Sequence, residues 1–265
     1  MTDAVRAYLD NLVRDPLRDD LRVTDGGRVV GRFLRCEIDS VFQPVARLAG
    51  DAITGAHALA RVHAEAGAAL SPWNLFAQTA SGDDLVLLDR RCRIVHTLNF
   101  FRSPTDALAA LDLLLNVHPR LLTVVSTDHG RAFRRVLDSL QVDSRQVVIS
   151  LPPVSRGTLD LQCQVAGSYR LNGFRVAVSG EQPAMLQSLL ARQPADVIRI
   201  DAHRLAGATW RPALALAQAV GADVHATRVE DDAQRALALQ LGATHWQGWH
   251  LAQPAADFIA DVQAA

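Results

Sequence analysis

The sequence contains no lysine, and all 27 of its basic residues are arginines. Several kinds of functional site depend on a lysine amine, including the phosphate-binding loop of P-loop nucleotidases, the Schiff base of pyridoxal enzymes and a lysine general base. The chain therefore lacks the residue that each of these chemistries needs. Positive charge in a functional site must come from arginine or from a protonated histidine.

Cysteine is also scarce. Cys36, Cys92 and Cys163 are far apart in the chain, and their spacing is not that of a zinc site. We expect them to be small buried hydrophobic side chains of a protein in the reducing environment of the cytoplasm. We predict neither a metal nor another cofactor from their pattern.

Long apolar runs and an excess of charge are absent as well. No segment approaches the ~18 consecutive apolar residues that a membrane-spanning helix needs, and the N-terminus has no signal-like apolar block. The formal net charge is −1, which gives no reason to expect a polyanionic partner. These features predict neither a membrane nor a nucleic acid as partner.

Hydrophobic residues make up 49% of the 265 residues, enough for a large core, and they fall into alternating helical and strand patterns. Short apolar segments predict strands at 111–117, 147–151, 174–178, 197–200, 224–226 and 244–246. Amphipathic segments predict helices at 83–98, 105–110, 131–140, 157–169, 183–191, 212–220 and 231–241, with a tail helix from 255. About eight such units in a chain of this length favour a closed α/β barrel over an open sheet.

The N-terminal part of the chain has a different pattern. Residues 1–20 predict a short amphipathic helix, and two short strands flank the turn sequence Asp25-Gly26-Gly27-Arg28. A second hairpin follows, with its turn at Gly50-Asp51. Ser71 and Pro72 suit the start of a helix. We predict an N-terminal extension, residues 1–32, that packs on a barrel domain of residues 33–265.

Several ordered motifs resemble those of the bacterial EAL domains, which break down cyclic di-GMP. The motifs that match the family are Gln43-Pro44, Ala58-Leu59 with Arg61, Leu70-Ser71-Pro72, Leu115-Asn116-Val117, Val197 to Asp201, Val229-Glu230, and Gln247-Gly248 with Pro254. The resemblance covers about residues 33–257. It implies an α/β fold, a modified TIM-like (β/α)8 barrel in which the strand near Phe42 runs against the others.

The chemical positions of this family have changed in the chain. The resemblance implies a pair of divalent cations held by carboxylates, because hard cations such as Mg²⁺ prefer oxygen ligands. The positions of these carboxylates are occupied here by His57, Ser150, Ser179, Gly180 and Thr227, and the catalytic lysine has become Arg199. Even the loss of a group outside the ligand shell typically costs ~10–100-fold in metal affinity. We expect no metal and no catalytic residue at this site.

The remaining polar residues form a candidate ligand-binding pocket. Its members are Gln43, Arg61, Asn116, Arg199, Asp201, Glu230 and Gln247. Arg61 and Arg199, with Arg228, could bind the phosphates of a dinucleotide. Alternatively, Arg199 forms an ion pair with Glu230 or Asp201, which neutralises the charges of the former metal site without binding a ligand.

Three functions follow from the resemblance. The first is a catalytically inactive EAL-like domain of cyclic di-GMP signalling that regulates a protein partner by direct interaction. The second is a receptor that binds cyclic di-GMP without metal. The third is an active phosphodiesterase, which nothing in the sequence supports. The identity of the partner, the output of the pathway and the oligomeric state stay open.

Overall fold

The computed structural model describes residues 3–11, 20–65, 67–102, 110–125, 129–206, 208–256 and 258. The predicted helix at 105–110 and the tail helix from 255 lie almost entirely outside these residues. The helices are α1 (Asp3–Asn11), α2 (Pro72–Gln78), α3 (Gly82–Phe100), α4 (Leu121–Val124), α5 (Arg131–Ser139), α6 (Leu159–Leu171), α7 (Pro183–Leu190), α8 (Arg211–Ala219) and α9 (Asp232–Gln240).

The strands begin with two N-terminal ones and then alternate with helices. They are β1 (Leu21–Val23), β2 (Val29–Phe33), β3 (Cys36–Arg47), β4 (Ile53–Ala64), β5 (Ala69–Leu70), β6 (Asp112–Asn116), β7 (Val147–Pro153), β8 (Arg175–Gly180), β9 (Val197–Asp201), β10 (Asp223–Thr227) and β11 (His245–Trp246). From residue 83 on, the predicted helices and strands within the described residues are found, and their ends differ from the prediction by one or two residues. The N-terminal helix, predicted within residues 1–20, is described at Asp3–Asn11. The short β5 and α4 were not predicted.

Eight strands close into a barrel. They follow the order β3, β11, β10, β9, β8, β7, β6 and β4, and β4 pairs again with β3. β3 is antiparallel to both of its barrel neighbours, whereas the other pairs are parallel. The predicted TIM-like barrel, with a strand near Phe42 that runs against the others, is therefore confirmed.

The hairpin of β3 and β4 is longer than the barrel. Its turn contains Gly50 and Asp51, both with positive φ, which short hairpin turns require. Gly55 of β4 lies against β6, where an added Cβ would come 2.6 Å from the carbonyl oxygen of Asp112, so only glycine permits the pairing. Beyond His57 both strands continue as a ribbon past the carboxyl ends of the parallel strands.

The N-terminal strands belong to the same sheet. β1 and β2 form the predicted hairpin, and β2 pairs with the first part of β3, as Gly31 with Ile38. Gly31 lies directly against α3, where a Cβ would meet Val95 at 2.9 Å. β2 extends across the proposed division between residues 32 and 33, which stays a prediction.

The helix layer packs around the barrel and forms the main core with the outward side chains of the strands. A separate apolar cluster fills the barrel interior and contains Val45, Leu114, Val148, Ala177 and Val197. α2 begins with Pro72 in its first turn as predicted, but the Ser71 side chain makes no capping hydrogen bond. None of the described helices has the length and apolar character that crossing a bilayer requires.

Candidate functional site

A polar network lies inside the barrel, at the carboxyl ends of its strands. It contains one side chain from each of several strands, namely Gln43 (β3), His57 (β4), Asn116 (β6), Ser150 (β7), Arg199 (β9) and Gln247, which continues β11. Side chains alternate between the two faces of a strand, so every second residue points into the barrel. The network lies directly above the apolar layer of the interior. We call it the mouth network.

Arg199 is at the centre of the mouth network. Its Nη1 donates a hydrogen bond of 2.9 Å to Ser150 Oγ. Its Nη2 lies 3.2 Å from His57 Nδ1 and 3.3 Å from Gln247 Oε1. Its Nε is buried and has no hydrogen-bond partner among the described residues. The described groups that hydrogen-bond to this guanidinium are all neutral.

His57 accepts and donates within the same network. Its Nε2 lies 2.9 Å from Asn116 Oδ1, which can only accept, so Nε2 carries the proton. Its Nδ1 then accepts from Arg199 and from Gln247 Nε2, which lies 3.1 Å away. Burial, together with the charge of Arg199, lowers the pKa of His57 to about 3. The ring is therefore neutral at physiological pH.

Two glutamines connect the mouth network to the chain that follows β11. Gln247 Nε2 donates to Gln43 Oε1 at 2.7 Å, and Gln43 Nε2 donates to the carbonyl oxygen of Ala252 at 3.1 Å. Both glutamines are buried. Sequence patterns placed them in the pocket separately but gave no sign of their direct pairing, because the pairing depends on how β3 meets β11.

Burial lowers the pKa of Arg199 to about 10, so its side chain stays protonated at neutral pH. No carboxylate in the described part of the chain lies within ion-pair distance of it. The expected alternative, a pair between Arg199 and Asp201 or Glu230, is therefore not formed. A partly buried cation held only by neutral groups is costly unless something else compensates its charge.

Asp201 and Glu230 instead form a separate cluster at the rim. Asp201 Oδ2 lies 2.9 Å from Arg228 Nη1, and its Oδ1 lies 3.0 Å from His203 Nδ1. Glu230 Oε2 lies 3.4 Å from His203 Nε2. Asp201 also accepts from the backbone N–H of His203 and caps the short 3-10 helix Ala202–Arg204. His203 was missed in the sequence, although its position two residues after an aspartate is typical of such a cap.

Arg61 does not contact the mouth network. It lies on the part of the β4 ribbon beyond the barrel, is exposed, and donates to the carbonyl oxygen of Ala60 at 3.1 Å. Arg228 is engaged by Asp201. The proposed cluster of three phosphate-binding arginines is therefore not assembled by direct contacts, and Arg199 is its only member in the mouth network.

The other altered positions are also occupied by neutral groups. Ser179 Oγ donates to the carbonyl oxygen of Leu151 at 3.4 Å, and Thr227 Oγ1 donates to that of Ile200 at 3.2 Å. Gly180 faces the helix layer, where an added Cβ would lie 3.1 Å from Leu186 and 3.3 Å from Trp210. A side chain at position 180 would therefore require its neighbours to move.

The mouth network does not fit a pair of divalent cations. Such a pair brings four positive charges and needs several carboxylate oxygens. The mouth network supplies amide, hydroxyl and imidazole groups, and the Arg199 guanidinium adds a positive charge among them. Both carboxylates of the rim cluster are already paired with Arg228 or His203.

The fold and the position of the polar residues are those of TIM-like barrel proteins whose sites lie at the carboxyl ends of the strands. A family model for the EAL domain matches residues 28–254, and the chain belongs to this family. No curated protein sequence matches it.

Solved structures of EAL proteins have the same fold. The EAL enzyme Bd1971 in its cAMP-bound form is 17% identical over 86% of this chain and 66% of its own, with a TM-score of 0.68. The Bacillus subtilis YkuI protein, in complex with its substrate c-di-GMP and calcium, is 20% identical over 82% and 55%, with a TM-score of 0.66. Klebsiella pneumoniae BlrP1 with FMN and cyclic diGMP and no metal ions is 20% identical over 89% and 55%, with a TM-score of 0.60. The chain thus spans two thirds or less of each of these proteins.

Proposed function

We propose that this EAL domain does not hydrolyse cyclic di-GMP and acts in cyclic di-GMP signalling as a regulatory domain, mainly through interaction with a protein partner. One observation carries the proposal. The guanidinium of Arg199 is hydrogen-bonded to Ser150 and His57, two positions where the resemblance implies metal-binding carboxylates. These neutral groups supply no negative charge to hold a pair of cations, and without cations the water that attacks the phosphodiester is not activated.

Large exposed apolar side chains support the interaction part of the proposal. Trp73 is 67% exposed at the start of α2, and Trp249 is 67% exposed just after β11. Both follow strands at the carboxyl end of the barrel. Exposed tryptophans are common in protein interfaces because they bury much area and lose little conformational freedom.

A titration of cyclic di-GMP with and without Mg²⁺ or Mn²⁺, in which the nucleotide products are monitored, tests the proposal. We expect no linear dinucleotide above background with either metal. A hydrolysing EAL domain assayed in parallel shows that the conditions support turnover. Product that forms in proportion to the protein and disappears in the Asn116→Ala variant would refute the proposal, because Asn116 contacts His57 at the centre of the mouth network.

A specific observation favours the second candidate, a metal-independent receptor for cyclic di-GMP. Arg199 holds a positive charge that no described carboxylate neutralises, and arginine binds phosphate oxygens through paired hydrogen bonds. BlrP1 of Klebsiella pneumoniae holds cyclic diGMP in a structure with no metal ions, so a relative binds this ligand without metal. Binding that a chelator does not affect would favour the receptor, and no binding at high micromolar ligand would leave the interaction function alone.

A further inference from the structure

A second polar cluster lies in the barrel interior and extends from His225, beside Arg199, towards the amino ends of β10 and β11. Asp223 begins β10, His225 follows two residues later on the same face, and His245 begins β11. The parallel register places His225 beside His245. The alternation of side chains along β10, combined with this register, therefore brings one carboxylate and two imidazoles together at the amino ends of two neighbouring strands.

The distances suit a shared ligand. One ligand atom from each of these three residues lies within 4.8 Å of the other two. The two imidazole rings have centroids 4.6 Å apart, and His245 Nδ1 lies 3.8 Å from Asp223 Oδ1. A tetrahedral zinc ion with ligands at about 2.0–2.2 Å separates its ligand atoms by about 3.4 Å. The three atoms would have to approach one another by up to about 1.4 Å to share such an ion.

An unpaired group provides a second, independent observation. His225 is 6% exposed, and its Nδ1 is buried with no hydrogen-bond partner among the described residues. A buried polar atom without a partner costs about 1–3 kcal/mol, and such atoms are uncommon in folded proteins.

The charges that face the cluster permit a cation but limit its affinity. Arg175 forms an ion pair with Asp112, and its Nη2 lies 3.6 Å from Asp223 Oδ2. Asp223 Oδ1 faces His245 instead. Arg47, at the end of β3, lies beside His245 in the antiparallel register and adds a positive charge near the cluster. The side chain of Asp223 is 41% exposed, which provides a path of entry from solvent.

We propose that Asp223, His225 and His245 form a binding site for a divalent transition metal, with Zn²⁺ as the expected ion. Two imidazoles and one carboxylate suit zinc, cobalt or nickel, whereas Mg²⁺ and Ca²⁺ prefer oxygen ligands. His225 lies beside Arg199 of the mouth network across the β9–β10 pair, so this charge also faces the site, but the proposal does not rest on the function proposed above.

Calorimetric titration of untagged, chelator-treated protein with Zn²⁺ tests the site. We expect one equivalent to bind, and the Asp223→Asn and His225→Gln variants to bind at least roughly 10-fold more weakly. His250→Gln is the matched control, because His250 also pairs with an aspartate, Asp232 at 3.0 Å, but on the surface. Its affinity should equal that of the unchanged protein. Zn²⁺ should also raise the melting temperature of the unchanged protein and not that of Asp223→Asn.

Substitution with Co²⁺ distinguishes the ligands. We expect the visible absorption of cobalt in a nitrogen and oxygen site, without the near-ultraviolet band of a thiolate ligand. Binding that the Asp223→Asn variant retains, a thiolate band, or no Zn²⁺ binding at about 100 μM would each overturn the proposal. Asp223 is partly exposed, so its variant carries the test if His225→Gln does not fold.

Discussion

Two arginines of this protein, Arg93 and Arg199, differ in whether their charge has a partner. Arg93 of α3 lies in the helix layer, where its Nη2 is 2.5 Å from Asp89 Oδ2 and its Nη1 donates to Tyr169 Oη at 2.9 Å. The Tyr169 ring also lies 5.7 Å from its guanidinium. Among the described residues, Arg199 of the mouth network hydrogen-bonds only to neutral groups.

The direction of the pKa shift follows this difference. Burial acts to lower the pKa of Arg93, but Asp89 and Tyr169 raise it, and the net shift is upward. For Arg199 burial acts without a compensating carboxylate, and the pKa falls to about 10. The charge of Arg93 is therefore matched within the fold, whereas that of Arg199 is left for something outside the described residues to match. An anionic ligand would do so.

Replacing Arg93 by methionine should have the largest effect on stability. The change leaves the buried carboxyl of Asp89 without its partner, and breaking a buried ion pair in this way typically costs about 3–5 kcal/mol. Urea denaturation at pH 7 measures the loss. Burial already raises the pKa of Asp89, so part of the loss should disappear at low pH, where this carboxyl is protonated.

The double variant Asp89→Leu with Arg93→Met provides the control. It removes both charges and should recover most of the lost stability, since an apolar pair of similar volume commonly replaces a buried ion pair at little cost. If Arg93→Met alone costs less than about 1 kcal/mol, the contrast between the two arginines does not hold.

Acidification should have the next largest effect. The pKa of His57 is about 3 in the folded protein, below the 6.5 of an ordinary histidine. Between these values the unfolded chain binds more protons than the folded one, so stability falls as the pH drops through 6.5. One such group costs about 3 kcal/mol by pH 4. Denaturation midpoints between pH 7 and pH 4 measure the slope, which should be less steep in His57→Gln.

His96 adds to the same slope. It is buried, its Nδ1 lies 2.7 Å from Ser40 Oγ, and burial lowers its pKa to about 4. His57→Gln should therefore reduce the dependence of stability on pH without abolishing it. An unaltered slope in His57→Gln would mean that His57 is not the buried neutral base that its contacts indicate.

Much of the fold was predictable from the sequence because local signals agreed with one another. Apolar strands alternated with amphipathic helices, and Gly50-Asp51 marked the turn between β3 and β4. The two-residue strand β5 was not predictable in this way, because it contains only Ala69 and Leu70 and depends on its pairing with β4.

The site was predictable as a set of positions but not as a set of contacts. Motif order placed Gln43, Asn116, Arg199 and Gln247 together, and the hydrogen bonds of the mouth network link them through His57. One of the two alternatives for Arg199, a pair with Asp201 or Glu230, is not formed, because nearness in sequence does not bring these carboxylates to its guanidinium. In the register of β9 and β10, Asp201 lies opposite Thr227, which precedes Arg228. Arg199 lies two residues further into the barrel, opposite His225.

If cyclic di-GMP binds, Arg199→Ala should weaken the binding roughly 10–150-fold, because a hydrogen bond from a charged donor contributes ~1.5–3 kcal/mol. Calorimetry in the presence of a chelator measures the change, and the affinity should fall with added salt. Arg228→Ala is the matched control, since Arg228 is already paired with Asp201. Tight binding that the chelator abolishes would show that a metal, not Arg199, compensates the phosphates.

The smallest expected effect on stability is that of Arg199→Met, and it is the direct counterpart of Arg93→Met. Arg199→Met should change the stability at pH 7 by less than about 1 kcal/mol, because it removes a poorly compensated charge and keeps the apolar volume. It should also raise the pKa of His57, which the charge of Arg199 now lowers. A higher pKa in the folded protein reduces the stability lost on acidification.

Arg199→Met is expected to act on the stability at pH 7 and, through His57, on the dependence of stability on pH. A second substitution separates these two effects. In the His57→Gln background Arg199→Met should no longer alter the dependence of stability on pH, because the titrating partner is gone. Imidazole signals followed by NMR between pH 7 and pH 3 locate the His57 titration directly. A loss of several kcal/mol in Arg199→Met at pH 7 would place Arg199 with Arg93 as a residue that the fold itself requires, and it would remove the main reason to assign its charge to an anionic ligand.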